Sequence, residues 1–487
     1  MNNNYLVAIT AVLFSCTAVP AESLRLSMEE AIAAALDRNF SIRIQSIEPQ
    51  LAEEDLRYAS GAFDPVLESE YRYAREELSP FDTDDETASF RFGIGSTLPW
   101  GTQVGAEVNT NDRTTPFDPF TGVASDSVSS FAGIVVTQPI LRNFGMAGTY
   151  APVRIAEESV SVSWELFRAQ VMDIVTQTVQ AYQSLYFAQE NLRIAERNRD
   201  LALQLLKDNQ RRMETGVIAP LDIVQAESEA ALREVSVISA RSFMLQARNS
   251  LKALIWDEPN TVIDLHLEIL PPREPEGFSP NISRDFEMAL VNLPEYLASQ
   301  SSLEIRSIQL DQYKRNALPQ LDIVGSYGQR GLDASINNSL EQTFRDGDAS
   351  YSIGAILSIP FPNRSRSAEK VQAHLRRNQA ELQLRQLEQS ILLDLDNAGT
   401  RLTANWNRIQ AARRARELAE KSLQAEEKKL QVGTSSTFVV LRLQGDLANA
   451  EIREINALTD YAVSLAQYER ARGHILQVYG IILGKDS

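Results

Sequence analysis

Side chains that could do chemistry are scarce in this chain and widely spread. The histidines are three, His266, His374 and His474, and the only cysteine is Cys16. Zinc held by sulfur and imidazole needs four such ligands at short spacings, and one cysteine cannot form a disulfide within the chain. No Gly-x-Ser-x-Gly elbow offers a serine nucleophile to a base. The acidic run Asp82, Asp84, Asp85 and Glu86 lacks EF-hand spacing and reads as a surface loop. Seven methionines lie scattered, without the thioether ladder that soft metals such as copper or silver would need. Arg413, Arg414 and Arg416 form a basic patch able to attract anions, whereas Glu426-Glu427-Lys428-Lys429 and Arg211-Arg212 read as solvated helix faces with i,i+4 pairing. The expectation is a protein with no catalytic residue, no cofactor and no metal.

Charge narrows the partners. Asp and Glu outnumber Lys and Arg by 65 to 47, a formal charge of -18, so nucleic acid is not an expected partner. A 487-residue chain that is 44% hydrophobic and 23% charged is a folded protein. Residues 1–21 read as an export signal: an apolar run over 5–16, then Val19-Pro20-Ala21 with small residues at the cleavage positions. The segment MNNN lacks the usual Lys or Arg, and a second reading makes Leu13-Phe14-Ser15-Cys16 a lipoprotein signal with Cys16 acylated. No other stretch approaches the ~20 apolar residues of a spanning helix.

The elements that must carry any function are organised by an internal repeat. Arg199-Asp200-Leu201-Ala202 recurs as Arg416-Glu417-Leu418-Ala419, and the same offset of 217 pairs Leu185 with Leu402, Leu192 with Ile409, Leu206 with Leu423 and Gly216 with Gly433. Upstream, Ala35-Leu36 and Pro65 match Ala289-Leu290 and Pro319 at an offset of 254. The chain thus divides into a first repeat over 22–256, an irregular linker over 257–280, a second repeat over 281–478 and a tail over 479–487.

Each repeat runs through the same periodicities. Helical segments come first (27–60, opened by a Ser27/Glu30 capping box, and 283–316). Period-two alternation follows at 65–75 and 130–139, then at 319–329 and 350–360, with the hairpin 89–109 a possible further pair. Helices over 152–213 and 363–430, with no internal proline, would each be ~90–100 Å long. Ile391, Leu395, Ala398, Leu402 and Ile409 mark a packing seam on the second. Return helices over 220–256 and 437–476 complete two antiparallel hairpins that turn at Gly216 and Gly433. Four or six strands cannot close a membrane barrel, and open edges cannot face lipid, so three chains would have to supply twelve or eighteen. Tyr71, Tyr73, Phe90, Phe92 and Trp100 are candidates for interfacial girdles.

With this repeat in place, the chain resembles the TolC family of outer-membrane efflux channels. Thr137-Gln138-Pro139-Ile140-Leu141-Arg142-Asn143-Phe144-Gly145 is similar to that family's strand-to-helix junction, with Ile359 and Pro360 as the second-copy counterpart. The resemblance implies an α+β membrane protein with two tandem structural repeats. Long antiparallel helical hairpins would form an α-barrel, and a transmembrane β-barrel would be completed by the trimer. It implies a trimeric exit duct of a tripartite efflux pump or a type I secretion system. That duct would be embedded in outer-membrane lipid, extend into the periplasm, and be served by a periplasmic adaptor and an inner-membrane pump of RND, ABC or MFS type. The adaptor would meet the hairpin tips at Thr215, Gly216 and Val217 and at Val432, Gly433 and Thr434. The aperture positions become Asp222 and Gln225, with Val439 and Arg442 where the family often has aspartates, a departure that puts a cation-binding mouth in doubt. A periplasmic coiled-coil scaffold or adaptor with no barrel is the competing reading.

Overall fold

The computed structural model describes residues 24–78, 83–115, 125–214, 220–258, 267–432 and 434–484. In chain order the elements are β1 (Leu24–Leu26), α1 (Met28–Arg38), α2 (Phe40–Gln45), α3 (Ile47–Ser60) and a 3-10 turn (Gly61–Phe63). Next come β2 (Val66–Leu78), β3 (Thr83–Thr97), β4 (Gln103–Thr115) and β5 (Ser125–Pro139). The first hairpin follows as α4 (Met146–Thr149), α5 (Ala151–Glu214) and α6 (Pro220–Ile255), then β6 (Leu267–Ile269). The second repeat holds α7 (Ile282–Asn292), α8 (Pro294–Asn316), β7 (Gln320–Asp333), α9 (Ile336–Arg345) and β8 (Asp348–Ser358). It closes with α10 (Arg364–Gln431), α11 (Thr437–Ala471) and α12 (Ile475–Val478). Among the described residues no helix is long and apolar enough to cross a membrane.

The expected helix at 27–60 starts at its capping box: Glu30 N donates to Ser27 Oγ and Ser27 N to the Glu30 carboxylate, at 3.2 and 2.8 Å. It does not run through. Asn39 takes an extended backbone and accepts from Ser41 N and Ile42 N, so one helix ends and another begins there. The second-repeat helix breaks at the equivalent place, Leu293 before Pro294, because proline excludes the preceding residue from helix and starts the next one well. Different residues make the same corner.

The chain folds into two units. One takes the described residues within 24–48, 164–298 and 385–484, among which β1 and β6 are the only strands and the rest is mainly helical. Its core joins Ile32, Leu36, Val171, Met172, Val175, Tyr182, Leu185, Leu251, Ile255 and Ile475. The seam expected on α10 is buried throughout, with Leu395, Leu402 and Ile409 at 0% exposure. The two repeats solve this interior in opposite ways. Tyr182 of α5 shares the core with Leu251 of α6; 217 residues on, Gly399 of α10 lies 3.4 Å (from an ideal Cβ) from Tyr468 of α11. The large ring moved from the outgoing helix to the return helix and the facing position shrank to match, which conserves core volume.

The linker at 257–280 is less irregular than expected. β6 pairs in parallel with β1, Leu24 to Leu267 through Leu26 to Ile269, and the Tyr182 hydroxyl reaches the carbonyls of Leu26 at 3.1 Å and Leu270 at 2.7 Å. Its far end docks on Tyr461, whose hydroxyl donates to Glu276 O at 2.7 Å. A β-pair three residues long has no sequence pattern of its own; the buried tyrosine beneath it supplies the reason to form.

The second unit, 49–163 and 299–384, holds one six-stranded antiparallel sheet in the order β2-β3-β4-β5-β7-β8. The possible hairpin is part of this sheet, as β3 and β4, so each chain supplies six long strands. The acidic segment expected as a loop lies partly in strand: Asp84, Asp85 and Glu86 pair with Glu77, Glu76 and Arg75, while Asp82 lies outside the described residues.

Burial pushes the Tyr182 phenol up to about 12, with the Glu29 charge adding to it. An unfolded tyrosine ionises near 10, so the stability this group contributes is complete below about pH 10 and lost as pH rises to about 12. The expected loss is about 2–3 kcal/mol. Alkaline unfolding in detergent should flatten over that window in Tyr182→Phe; an unchanged pH profile would mean the phenol ionises freely in the fold.

Candidate functional site

Three regions were expected to carry function. The strand-to-helix junction is the most fully built. Gln138 and Pro139 end β5 in register with Ile323 and Asp322 of β7, and Ile140 N continues the ladder to Leu321 O at 2.8 Å. Thr102 Oγ1 donates to Gln138 Oε1 at 2.5 Å, and Gln138 Nε2 donates to Pro139 O. Arg142 pairs with the side-chain carbonyl oxygen of Gln320, and Gln320 in turn donates to Asp322 at 2.6 Å. Behind this the β3–β4 turn folds against the start of the hairpin. Gly145 N donates to Trp100 O at 2.9 Å and Thr149 Oγ1 to Asn143 O at 2.7 Å.

Two residues there take left-handed backbone, Asn143 at φ 60° and Gly145 at φ 79°, reversing the chain from strand into α4 and α5. Gly101, also left-handed at φ 98°, sits where a Cβ would strike Asn143 O and come within 2.8 Å of Thr149 Oγ1. Sequence reading found the junction over 137–145, Gln138, Pro139 and Asn143 included, but missed Gly101 and Thr102. What local sequence could not show is that the 98–102 turn packs against Asn143, some forty residues later. The second junction is looser. Ile359 and Pro360 follow β8 in irregular backbone with Ile359 exposed, and α10 is anchored by Asn363 Nδ2 and Arg366 donating to the carbonyls of Ala317 and Asn316 at 3.1 and 2.8 Å.

The sheet is two-faced. Leu67, Tyr71, Tyr73, Phe90, Phe92, Ile94, Val108, Ile134, Val136, Tyr327, Tyr351 and Ile353 share one face by strand register, Tyr71 opposite Phe90 and Tyr327 opposite Tyr351. The other carries Glu68, Glu70, Arg72, Arg91, Glu107, Asn109, Asn111 and Arg113. Trp100 stands apart from the other girdle candidates, in the turn between β3 and β4.

At the hairpin tips, Thr215, Gly216, Val217 and Gly433 lie outside the described residues, as does Cys16. Val432 is exposed just past α10, and Thr434 N donates back to Lys429 O at 2.9 Å. Inside this turn Glu426 accepts from Ser435 Oγ at 2.6 Å and from Lys429 Nζ at 2.9 Å. Those two bonds, with the charge of Arg442 nearby, hold the Glu426 carboxyl below its ordinary value. Arg442 therefore faces an acid of its own hairpin. Val439 is half-buried, Gln225 exposed, and Asp222 falls in the first turn of α6.

Above the tips the basic patch is largely neutralised: Arg416 and Arg413 both reach Glu454, at 2.5 and 3.5 Å, and Arg197 of the first hairpin pairs with Glu451 of the second. A cavity of about 530 Å³ among α5, α8, α10 and α11 holds Asp173, Glu295 and Arg470. There Arg470 donates to Asp173 at 2.7 Å and also pairs with Glu295. Among the described residues no cluster of His, Cys, Asp and Glu could hold a metal.

Comparison with known proteins agrees with this geometry. The family described as outer membrane efflux protein matches residues 31–255 and 286–474. The chain is 22% identical to the outer membrane efflux protein BepC of Brucella suis biovar 1 (strain 1330), over 70% of this chain and 72% of that one. It is 23% identical to the alkaline protease secretion protein AprF of Pseudomonas aeruginosa, over 63% and 61%. Among solved structures, the Campylobacter jejuni CmeC outer membrane channel superposes with a TM-score of 0.68 at 15% identity, covering 94% of this chain and 87% of that one. VceC from Vibrio cholerae gives 0.67 at 16% identity, over 92% and 96%.

Gly101→Ala is expected to prevent assembly in the outer membrane, because the added methyl needs both a strained backbone and a displaced Asn143 carbonyl. Gly105→Ala, whose methyl would meet nothing closer than 3.5 Å, should assemble normally on heat-modifiability gels.

Proposed function

This chain belongs to the outer membrane efflux protein family, and from that premise we propose that three copies close into one export duct joined to an adaptor and an inner-membrane pump. The protein is an outer-membrane efflux channel that extends into the periplasm. The reading of a periplasmic scaffold without a barrel is overturned by the family match and the two-faced sheet.

The observation that carries the trimer is the sheet with two free edges. β2 and β8 each have one neighbour, and lipid offers no hydrogen bonds to the other side. Because the strand number per chain is even, β8 of one copy can pair antiparallel with β2 of the next, and three copies give eighteen strands in the size range of water-filled barrels. The charged face then lines the lumen and the apolar face meets lipid. The duct performs no bond-making step; selection belongs to the pump, and relatives named for efflux and for protease secretion are compatible with one duct architecture. The tips around Val432, Gly433, Thr434 and 215–217 are the adaptor contacts, and Asp222, Gln225, Val439 and Arg442 form the mouth.

The test is single-channel recording from purified trimer, which should show discrete conductance; a stable monomer retaining its sheet would refute closure by three copies. In cells, Gly433→Trp should leave assembled trimer in the outer membrane and abolish export, since bulk at the tip blocks docking. Normal export by this variant would remove the tip from the adaptor contact. Arg442→Asp places like charge beside Glu426 and near the mouth, and should raise conductance and cation preference; unchanged recordings would place Arg442 away from the constriction.

A further inference from the structure

α9 lies on the apolar face of the sheet without burying its apolar stripe against it. An ordinary amphipathic helix turns its apolar stripe inward. Here the inward side is small and hydroxylated: Ser339 and Thr343 are fully buried, and Ser130 of β5 bonds to both hydroxyls, at 2.7 and 2.6 Å. Ser339 Oγ donates to Gly331 O at 3.2 Å and Thr343 Oγ1 to Ser339 O at 2.9 Å, so no hydroxyl in the contact lacks a partner. A Cβ on Gly331 would strike Ser339 O, and one on Gly347 would come within 2.8 Å of Thr343 O. The helix sits directly on the strands, fixed further by Gln342 accepting from Leu332 N at 2.9 Å. Its apolar stripe, Ile336, Leu340 and Phe344, spaced four residues apart, runs along the flank beside that contact, with Ile336 43% and Phe344 64% exposed, while Asn337, Glu341 and Arg345 point away from the sheet.

We propose that α9 is a lipid-docking helix, its Ile336–Leu340–Phe344 stripe inserted among the acyl chains of the outer leaflet. The occupant follows from continuity. The stripe stands on the same face as Ile134, Tyr327, Tyr351 and Ile353, and it covers the sheet at the ends of β5 and β7 remote from the junction. Small residues against backbone and saturated hydroxyls are the contact a helix uses where lipid, not water, surrounds it. At ten residues α9 spans only ~15 Å, half a bilayer core, so it lies against the wall and does not cross. The Glu341–Arg345 ion pair at 2.5 Å keeps its polar edge neutral.

The proposal rests on the reading that the apolar sheet face meets lipid, and the experiment separates the two. Ile336→Cys, Asn337→Cys, Leu340→Cys, Glu341→Cys and Phe344→Cys are spin-labelled, with Ile134→Cys as the sheet control and unmodified protein as the blank for Cys16. Trimers are reconstituted into phosphatidylethanolamine–phosphatidylglycerol vesicles, and collision with oxygen is compared with collision with a water-soluble nickel chelate. The expected result is oxygen preference at 336, 340, 344 and 134, and nickel preference at 337 and 341. Water exposure of the stripe with Ile134 still in lipid overturns the proposal alone, whereas water exposure at Ile134 overturns the membrane reading beneath it. Labels on the stripe immobilised and shielded from both reagents would mean that another protein surface, not lipid, covers α9, and would equally overturn it.

Discussion

In lipid every backbone amide and carbonyl must find its partner within protein, and this constraint governs the molecule. The sheet satisfies it internally along five ladders and leaves it unmet on the outer edges of β2 and β8. An aqueous protein could blunt such edges with charge or a bulge; Tyr351 and Ile353 on β8 do the opposite, presenting apolar side chains on an unpaired strand. The single chain is therefore an unfinished object, and closure with further copies is built into its hydrogen bonding. The even strand count lets this closure be antiparallel throughout.

The repeated architecture shows how far two copies of one plan can drift while keeping their geometry. The early helical corner is held by an asparagine cap in one repeat and by proline in the other. Where Tyr182 fills the first hairpin from its outgoing helix, Tyr468 fills the second from its return helix, against Gly399. Tyr468 also donates to the buried Asp285 at 2.5 Å, which receives Arg472 as well, so an ionic lock stands where the first repeat has only neutral contacts to Leu26 and Leu270. Burial, with Asp285 beside it, raises the Tyr468 phenol well above its ordinary range. Repetition preserved volume and helix direction, and the side chains that achieve them were free to trade places.

Electrostatics divide along the same lines. In the sheet, period-two alternation sorts charge to one side and hydrocarbon to the other without any long-range device. Along the hairpins, arginines pair with glutamates of neighbouring helices, Arg413 and Arg416 with Glu454 and Arg197 with Glu451. At the tip a compact group of Glu426, Lys429, Ser435 and Arg442 holds the Glu426 carboxyl in its charged form.

The sequence by itself determined the class of element and its length. Glycine and proline punctuation, a constant offset of 217 and uninterrupted 3.6-residue periodicity placed both outgoing helices to within two residues at each end, because these signals are local. The Ser27 capping box and the Gln138-Pro139 junction were legible for the same reason. Tertiary structure decided what depends on residues distant in sequence. The 89–109 hairpin joined the sheet because β5 offered β4 a complete ladder, Gln103 opposite Thr137 through Thr115 opposite Ser125. Gly101 mattered only once Asn143 arrived behind it, and the β1–β6 pair existed only over Tyr182. The orientation of α9 was likewise decided by Ser130 and Gly331, two small residues from separate strands, since an amphipathic pattern fixes which residues share a helix face but not which solvent that face will meet.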